Sequence, residues 1–438
     1  MKNFSISIFL LLCASACGGA SETEEVNAPT TTVAPTTTVV PTTTVVPTTT
    51  VVPTTTVVPT TTVAPTTTTP APVPVDVTPC RLKQDEQFHH FSGFPIPNIR
   101  MSSTGLLRVA VLFVDFPNVN AVNSTEKIFS NNIPEAENYL ETMSSGNLDL
   151  QFEPLHKWLR MSGEHASYDL SMFDNHLLFM QEAVDLADPE FDFSEIDSVI
   201  VIVDEKADSF TWSPAFTPAD PYFGLSADGN VITNGVTRGV DWANFPSNVI
   251  AHEMGHTLGL VDLYEIGATS PAQHAHVGNF GIMGLIVPHT GGSLWGSMDP
   301  LNGNEMLAWH RWQLGWIEDT EVFCATNSLT SIEVGPLTNN AGTRMLVIPV
   351  DSSKAVVAEN RTSDGYDQNL STGGVLVYLV DTRINTGRGP IKVQGDFSGD
   401  WHDSSTLLQS GERITVEGHE IFITSKVGNN YFLEISNP

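Results

Sequence analysis

The stretch His252-Glu253-Met254-Gly255-His256-Thr257-Leu258-Gly259-Leu260-Val261-Asp262 carries the residues of this chain best suited to chemistry. Histidines four residues apart on a helix lie one turn from each other on one face. Both imidazoles can reach one zinc ion. The glutamate between them projects to the same side and can take a proton from an attacking water. The five-residue pattern alone also arises by chance on surface helices. Its surroundings argue for a core helix, because Val249, Ile250, Met254 and Leu258 form an apolar stripe. Pro246 and Ser247 suit a helix start. Gly259 suits its end, where a residue without Cβ turns the chain left-handed. That turn delivers Asp262 back toward the metal. His252, His256 and Asp262 then leave one position of a tetrahedral zinc open for catalysis, and Glu253 serves as general base.

Asp262 has rivals as third ligand. Glu265 lies one helical turn further on, and His274 and His276 form a His-x-His in a following loop. Gly259 argues against a continued helix, so Asp262 is preferred. His289 reads as a surface residue.

The extended pattern H-E-x-x-H-x-x-G-x-x-D resembles the metzincin zinc peptidases. Asp262, where most of them have histidine, is similar to the immune inhibitor A-like secreted metalloproteases of bacteria. Gly281-Ile282-Met283-Gly284 resembles the Met-turn beneath the metal, with Met283 as an apolar floor. The segment 308–317 is similar to the helix and exit segment that close that catalytic domain. Glu359-Asn360-Arg361, Gly365-Tyr366-Asp367 and 373–378 resemble the β-rich region that follows it. The resemblance spans about residues 105–438 and implies a zinc endopeptidase acting on proteins or peptides. Many metzincins also use a tyrosine after the Met-turn. After Tyr264 the next tyrosine is Tyr366, so none is expected to serve here.

The N-terminus bounds the compartment. Met1-Lys2-Asn3 precedes an apolar run too short to span a bilayer, so residues 1–16 read as a signal peptide. Ala14-Ser15-Ala16-Cys17-Gly18 resembles a bacterial lipobox with Cys17 acylated; Ala14 departs from the commoner leucine. The expectation is a cell-surface lipoprotein, otherwise a secreted protein, touching membrane only through that anchor. Residues 30–65 repeat Thr-Thr-Thr-Val-Ala/Val-Pro six times. Proline every sixth residue blocks helix and nothing there builds a core, so residues 17–79 read as an extended stalk. Cys80 and Cys324 remain in the exported chain, and in an oxidising compartment they either form one disulfide or stay two separate thiols.

The elements that must hold the site follow from periodicity. The runs 106–114 (LLRVAVLFV) and 197–203 (DSVIVIV) read as buried strands, and 148–152 as a third. Residues 134–143, 173–187, about 247–258 and 303–313 read as helices. From about residue 318, short β-favouring runs at 345–350, 355–358, 374–380, 420–424 and 431–435 alternate with turns. The fold class is therefore α+β: a zincin/metzincin-like catalytic domain at 80–317, then a β-sandwich-like domain at 318–438. Residues 81–104 are either a propeptide remnant or part of the mature enzyme.

Fifty Asp and Glu against 19 Lys and Arg give a net charge of −31. No basic footprint for nucleic acid exists. Acidic surfaces suit calcium (Ca2+), which commonly stabilises secreted proteases. Asp228-Gly229-Asn230 is a small calcium-like fragment that more often marks a simple turn. Two other function classes stand beside the protease. A binding protein on a decayed protease scaffold would usually have lost the glutamate, which is present. A glycan hydrolase would need a marked pair of spaced carboxylates, which no motif supplies.

Overall fold

A computed structural model describes residues 76–436, apart from 86, 221, 242–244, 270–271, 286–304, 369, 396 and 398–403. The signal peptide, Cys17, most of the stalk and His289 lie outside the described residues.

Alternation decides the first sheet. Strand β1 (Gly105–Asp115) sends Val109, Val111 and Phe113 into one core and Ala110, Leu112 and Val114 into another. A strand buried on both faces reads as a continuous apolar run. Strand β3 (Ser198–Val203) divides in the same way. Strand β2 (Leu148–Arg160) pairs parallel with β1, and β1 pairs parallel with β3. Helices α1 (Thr125–Asn132) and α2 (Pro134–Met143) lie between β1 and β2, and helix α3 (Phe173–Ala187) follows β2. After β3 come the short strands β4 (Ala215–Phe216), β5 (Leu225–Ala227), β6 (Asn230–Ile232) and β7 (Gly235–Arg238). The sheet runs β2-β1-β3-β7-β4, with β4 the one antiparallel strand, on the edge. Asp228 and Gly229, both at positive φ, make the two-residue turn between β5 and β6. Asp228 accepts the Phe193 N–H, which gives that fragment a structural role.

Helix α3 covers one face of the sheet. On the other face lie α2 and helix α4 (Pro246–Thr257), which carries the histidines. Pro246 stands in the first turn as its fixed φ favours. Gly259 has φ +102°, and a Cβ there would come within 2.8 Å of Ile96 Cγ2. Both facts demand glycine at the helix exit.

Helix α5 covers Ala308–Gln313, shorter than the expected start at 303. The Glu359 carboxylate accepts the Ala308 N–H at 2.8 Å, and Arg361 Nη2 takes the Glu305 carbonyl at 3.2 Å. Those contacts hold 305–307 outside the helical ladder.

The remaining strands are β8 (Val322–Cys324), β9 (Leu329–Val334), β10 (Met345–Asp351), β11 (Lys354–Arg361), β12 (Gly374–Asp381), β13 (Ile391–Val393), β14 (Arg413–Val416), β15 (His419–Val427) and β16 (Asn430–Ser436). They form sheets β13-β12-β11-β10-β8 and β14-β15-β16-β9. Leu346, Ile348, Val356, Ala358, Val375 and Val377 face the second sheet across an apolar core. Their neighbours Met345, Val347, Val357, Leu376, Tyr378 and Val380 face Trp309, Trp312 and α4. Period-2 alternation thus binds the C-terminal sheets to the helical part, and Ala71–Pro438 form one compact unit. Segment 76–104 belongs to this fold. Phe91 N–H donates to the Gly259 carbonyl at 2.8 Å and Met101 N–H to that of Thr257 at 2.9 Å. Leu82, Phe94 and Met101 are buried in the main core.

A disulfide joins Cys80 to Cys324 across 244 residues of sequence. Such a cross-link restricts the unfolded chain. The double variant Cys80→Ala/Cys324→Ala is expected to lose about 2–5 kcal/mol of unfolding free energy, read as a lowered urea midpoint. An unchanged midpoint would show that the bond contributes nothing.

Candidate metal centre

His252 and His256 project from α4 one turn apart, their ring centroids 5.0 Å from each other. His252 Nδ1 lies 2.8 Å from the Ile282 carbonyl and His256 Nδ1 2.9 Å from that of Leu260. A carbonyl only accepts, so each Nδ1 carries the proton and donates. Each Nε2 therefore presents a lone pair. Both point at one atom, Asp262 Oδ1, at 3.3 and 3.1 Å. Three acceptors face one another in a buried place, an arrangement that requires a shared proton or a cation between them.

The donor set fits zinc. Ligand atoms ~2.0–2.1 Å from a tetrahedral ion stand about 3.3 Å apart. Two imidazoles and a carboxylate, each imidazole oriented through its other nitrogen, match the usual outer-shell arrangement. Among the described residues, His252, His256 and Asp262 are the group of three whose ligand atoms lie within reach of one ion. The rivals for third ligand are engaged elsewhere or outside that group. Glu265 bonds His276 Nε2 at 2.8 Å and Arg388 at 2.6 Å. His274 is buried apart from it.

Met283 is fully buried, and its sulfur would sit 2.4 Å from a Cβ built on Gly255. The glycine inside the motif therefore lets the methionine close up under the helix. Leu263 N–H donates to the Met283 carbonyl at 2.7 Å, so the same turn steadies the segment that carries Asp262. Arg361 donates to the Phe280 carbonyl, to Glu359 and to Asp367. The later motifs around 359–361 and 365–367 thus converge on the turn beneath the site.

Glu253 is half-buried beside the ligands. Burial pushes its carboxyl up to about 8, with Asp262 and Asp241 adding to the rise. A charge on His252 and the dipole of the nearby Ala215 N–H pull the other way. Asp262 behaves oppositely. Burial favours its neutral form, but with the shared proton on His256 the charge there and the contacts with both imidazoles hold it well below the usual carboxylate range.

Sequence reasoning passed over two side chains. Tyr264 is half-buried beside Asp262, with its ring 6.1 Å from that of His252. Burial and the charges of Asp262 and Glu253 raise its phenol far above the ordinary value, so it remains a donor. Expecting the tyrosine after the Met-turn misses it, although it is two residues from Asp262. His90 packs 4.8 Å from the His256 ring and meets Thr217 Oγ1 at 3.3 Å. Nothing local in the sequence marks it.

The metal-free cluster predicts a pH dependence. Burial works to lower His256, but the charge and hydrogen bond of Asp262 and the Leu260 carbonyl raise it overall. A raised histidine adds stability that is complete below its unfolded value of about 6.5 and is lost as pH rises through the folded value. Chelator-treated protein should therefore lose urea resistance above about pH 6.5. His256→Gln should lose less over that range, the remainder belonging to Glu253, whose raised carboxyl also gives up stability as pH climbs toward about 8. Equal pH profiles for both proteins would refute the shared proton.

No protein-family model matches the chain, and neither does any curated protein.

Proposed function

We propose that this chain is an extracytoplasmic zinc-dependent endopeptidase, zincin-like in its helical part and β-sandwich-like in its C-terminal sheets. It resembles the immune inhibitor A-like metalloproteases. The observation that carries the reading is the convergence of His252 Nε2, His256 Nε2 and Asp262 Oδ1 beside Glu253. A zinc ion held by those three atoms would polarise a peptide carbonyl and make water a nucleophile near neutral pH.

The chain's own groups supply the rest. Glu253 takes the proton of the attacking water and passes it to the leaving amine. Its raised proton affinity matches a group that must hold a proton and then release it. The Ala215 N–H lies toward Glu253, so the unpaired side of edge strand β4 faces the base. An extended peptide can add to that side as a further strand, with its carbonyl carried toward the site. Tyr264, kept protonated, donates toward the oxygen on which negative charge develops. Proteins or peptides are the substrates, and the net charge of −31 gives nucleic acid no footing. Cys17 would carry the lipid that tethers the stalk to the membrane.

Chelation with 1,10-phenanthroline should abolish casein digestion, and added zinc should restore it. Glu253→Gln should keep stoichiometric zinc while turnover falls by about 10²–10⁴. Asp262→Ala should lose zinc and turnover together. Near-wild-type cleavage by Glu253→Gln, or full activity in zinc-free protein, would defeat the reading.

Tyr264→Phe should retain zinc and lower kcat on the order of 10² with little change in KM. An unchanged kcat would remove Tyr264 from the mechanism.

A further inference from the structure

The third ligand follows a glycine turn and is not carried by a helix, so something else must fix its carboxylate. The segment between β12 and β13 does so, reaching across 124 residues of sequence. Asp262 N–H donates to Thr386 Oγ1 at 2.7 Å, and the Thr386 hydroxyl lies 3.2 Å from Asp262 Oδ2. Thr386 thus accepts from the ligand's backbone and donates to its side chain. The oxygen it takes is the one turned away from the histidines, leaving Oδ1 for the site.

The backbone continues the clamp. Gly387 N–H donates to the Asp262 carbonyl at 3.0 Å, and Ile266 N–H donates to the Gly387 carbonyl at 3.0 Å. Gly387 has φ +63°, and a Cβ there would fall 2.1 Å from Ile266 Cδ1. Glycine is therefore required for this close approach. Arg388 completes it, donating to Glu265 Oε1 at 2.6 Å and to the Ile266 carbonyl at 2.9 Å.

We infer that the 386–388 segment of the C-terminal β-rich region is an integral part of the metal centre, with Thr386 the residue that positions Asp262 for zinc. This rests on the zinc reading above. An outer-shell hydrogen bond of this kind fixes ligand orientation, and its loss typically weakens metal binding 10–100-fold. The C-terminal sheets then contribute to catalysis by setting the geometry of a ligand and not by contacting substrate.

The test measures zinc affinity on the full exported chain by competition with a chelating dye. It compares wild type, Thr386→Val, Thr386→Ala and Thr386→Ser, with urea unfolding of each metal-free protein alongside. Val keeps the shape and removes the hydroxyl, Ala removes both, and Ser keeps the hydroxyl. Zinc binding should weaken about 10–100-fold in the Val and Ala proteins and recover in the Ser protein. Metal-free urea midpoints should stay together. Wild-type affinity in Thr386→Val overturns the inference and leaves the zinc reading standing. So does a loss of affinity in Val and Ala that follows an equal loss of metal-free stability. A wild-type protein that takes up no zinc overturns both.

Discussion

Three atoms with lone pairs and no proton of their own are held facing one another. That constraint organises the surroundings of the site. Two neutral imidazoles and a carboxylate brought to 3.1–3.3 Å would separate if they were free to move. Separation is prevented at the far side of each group. The Ile282 carbonyl holds His252, the Leu260 carbonyl holds His256, and Thr386 holds Asp262. Each anchor is in turn fixed by packing: Ile282 adjoins the buried Met283, Leu260 follows the turn at Gly259, and Thr386 precedes Gly387. A cation relieves the repulsion, so the energy of holding the ligands together appears as metal affinity.

The anchors come from three separate parts of the chain, which explains why the β-rich region and the helical region share one core. Arg361, fully buried on β11, reaches the Phe280 carbonyl just before the methionine turn. Its charge is matched by Glu359 and Asp367, both also buried. An unpaired buried arginine would be strongly destabilising, and here its partners are built into the same region. The cluster thus joins the sheet to the turn beneath His252. Segment 76–104 closes a third side, where the N–H groups of Phe91 and Met101 satisfy carbonyls at the exit of α4.

Local signals were legible where local physics decides. The apolar periodicity at 134–143 and 173–187 coincides with α2 and α3, and the histidine helix ends beside the predicted glycine. The strands β1, β3, β10, β11 and β12 follow their apolar runs within a few residues. Strand β4 was not legible, because two residues have no period and its place is set by pairing with β7. Helix α1, with a mostly exposed polar face, also gave no apolar stripe to read. In the site, His252, Glu253, His256 and Asp262 share one turn-linked segment and so announce themselves. Thr386 and His90 lie far away in sequence and are brought in by the tertiary fold. Tyr264 lies two residues from Asp262 in the same segment, whereas the order along the chain expected of such a tyrosine places it after the Met-turn.

The two carboxylates of the motif are nine residues apart and are driven in opposite directions. Asp262 is held ionised by the histidines that it faces, while burial outweighs the single charge helping Glu253. Pairs of acids whose surroundings separate their proton affinities divide a reaction between them. The acid that cannot hold a proton is fitted to be a ligand, and the acid that can is fitted to move one. A dication at the ligand atoms would pull Glu253 down from its metal-free value toward neutrality, where a base must work. The division therefore does not depend on the identity of the residues alone. It depends on Asp262 standing at the crossing of two Nε2 atoms and Glu253 standing just beside it.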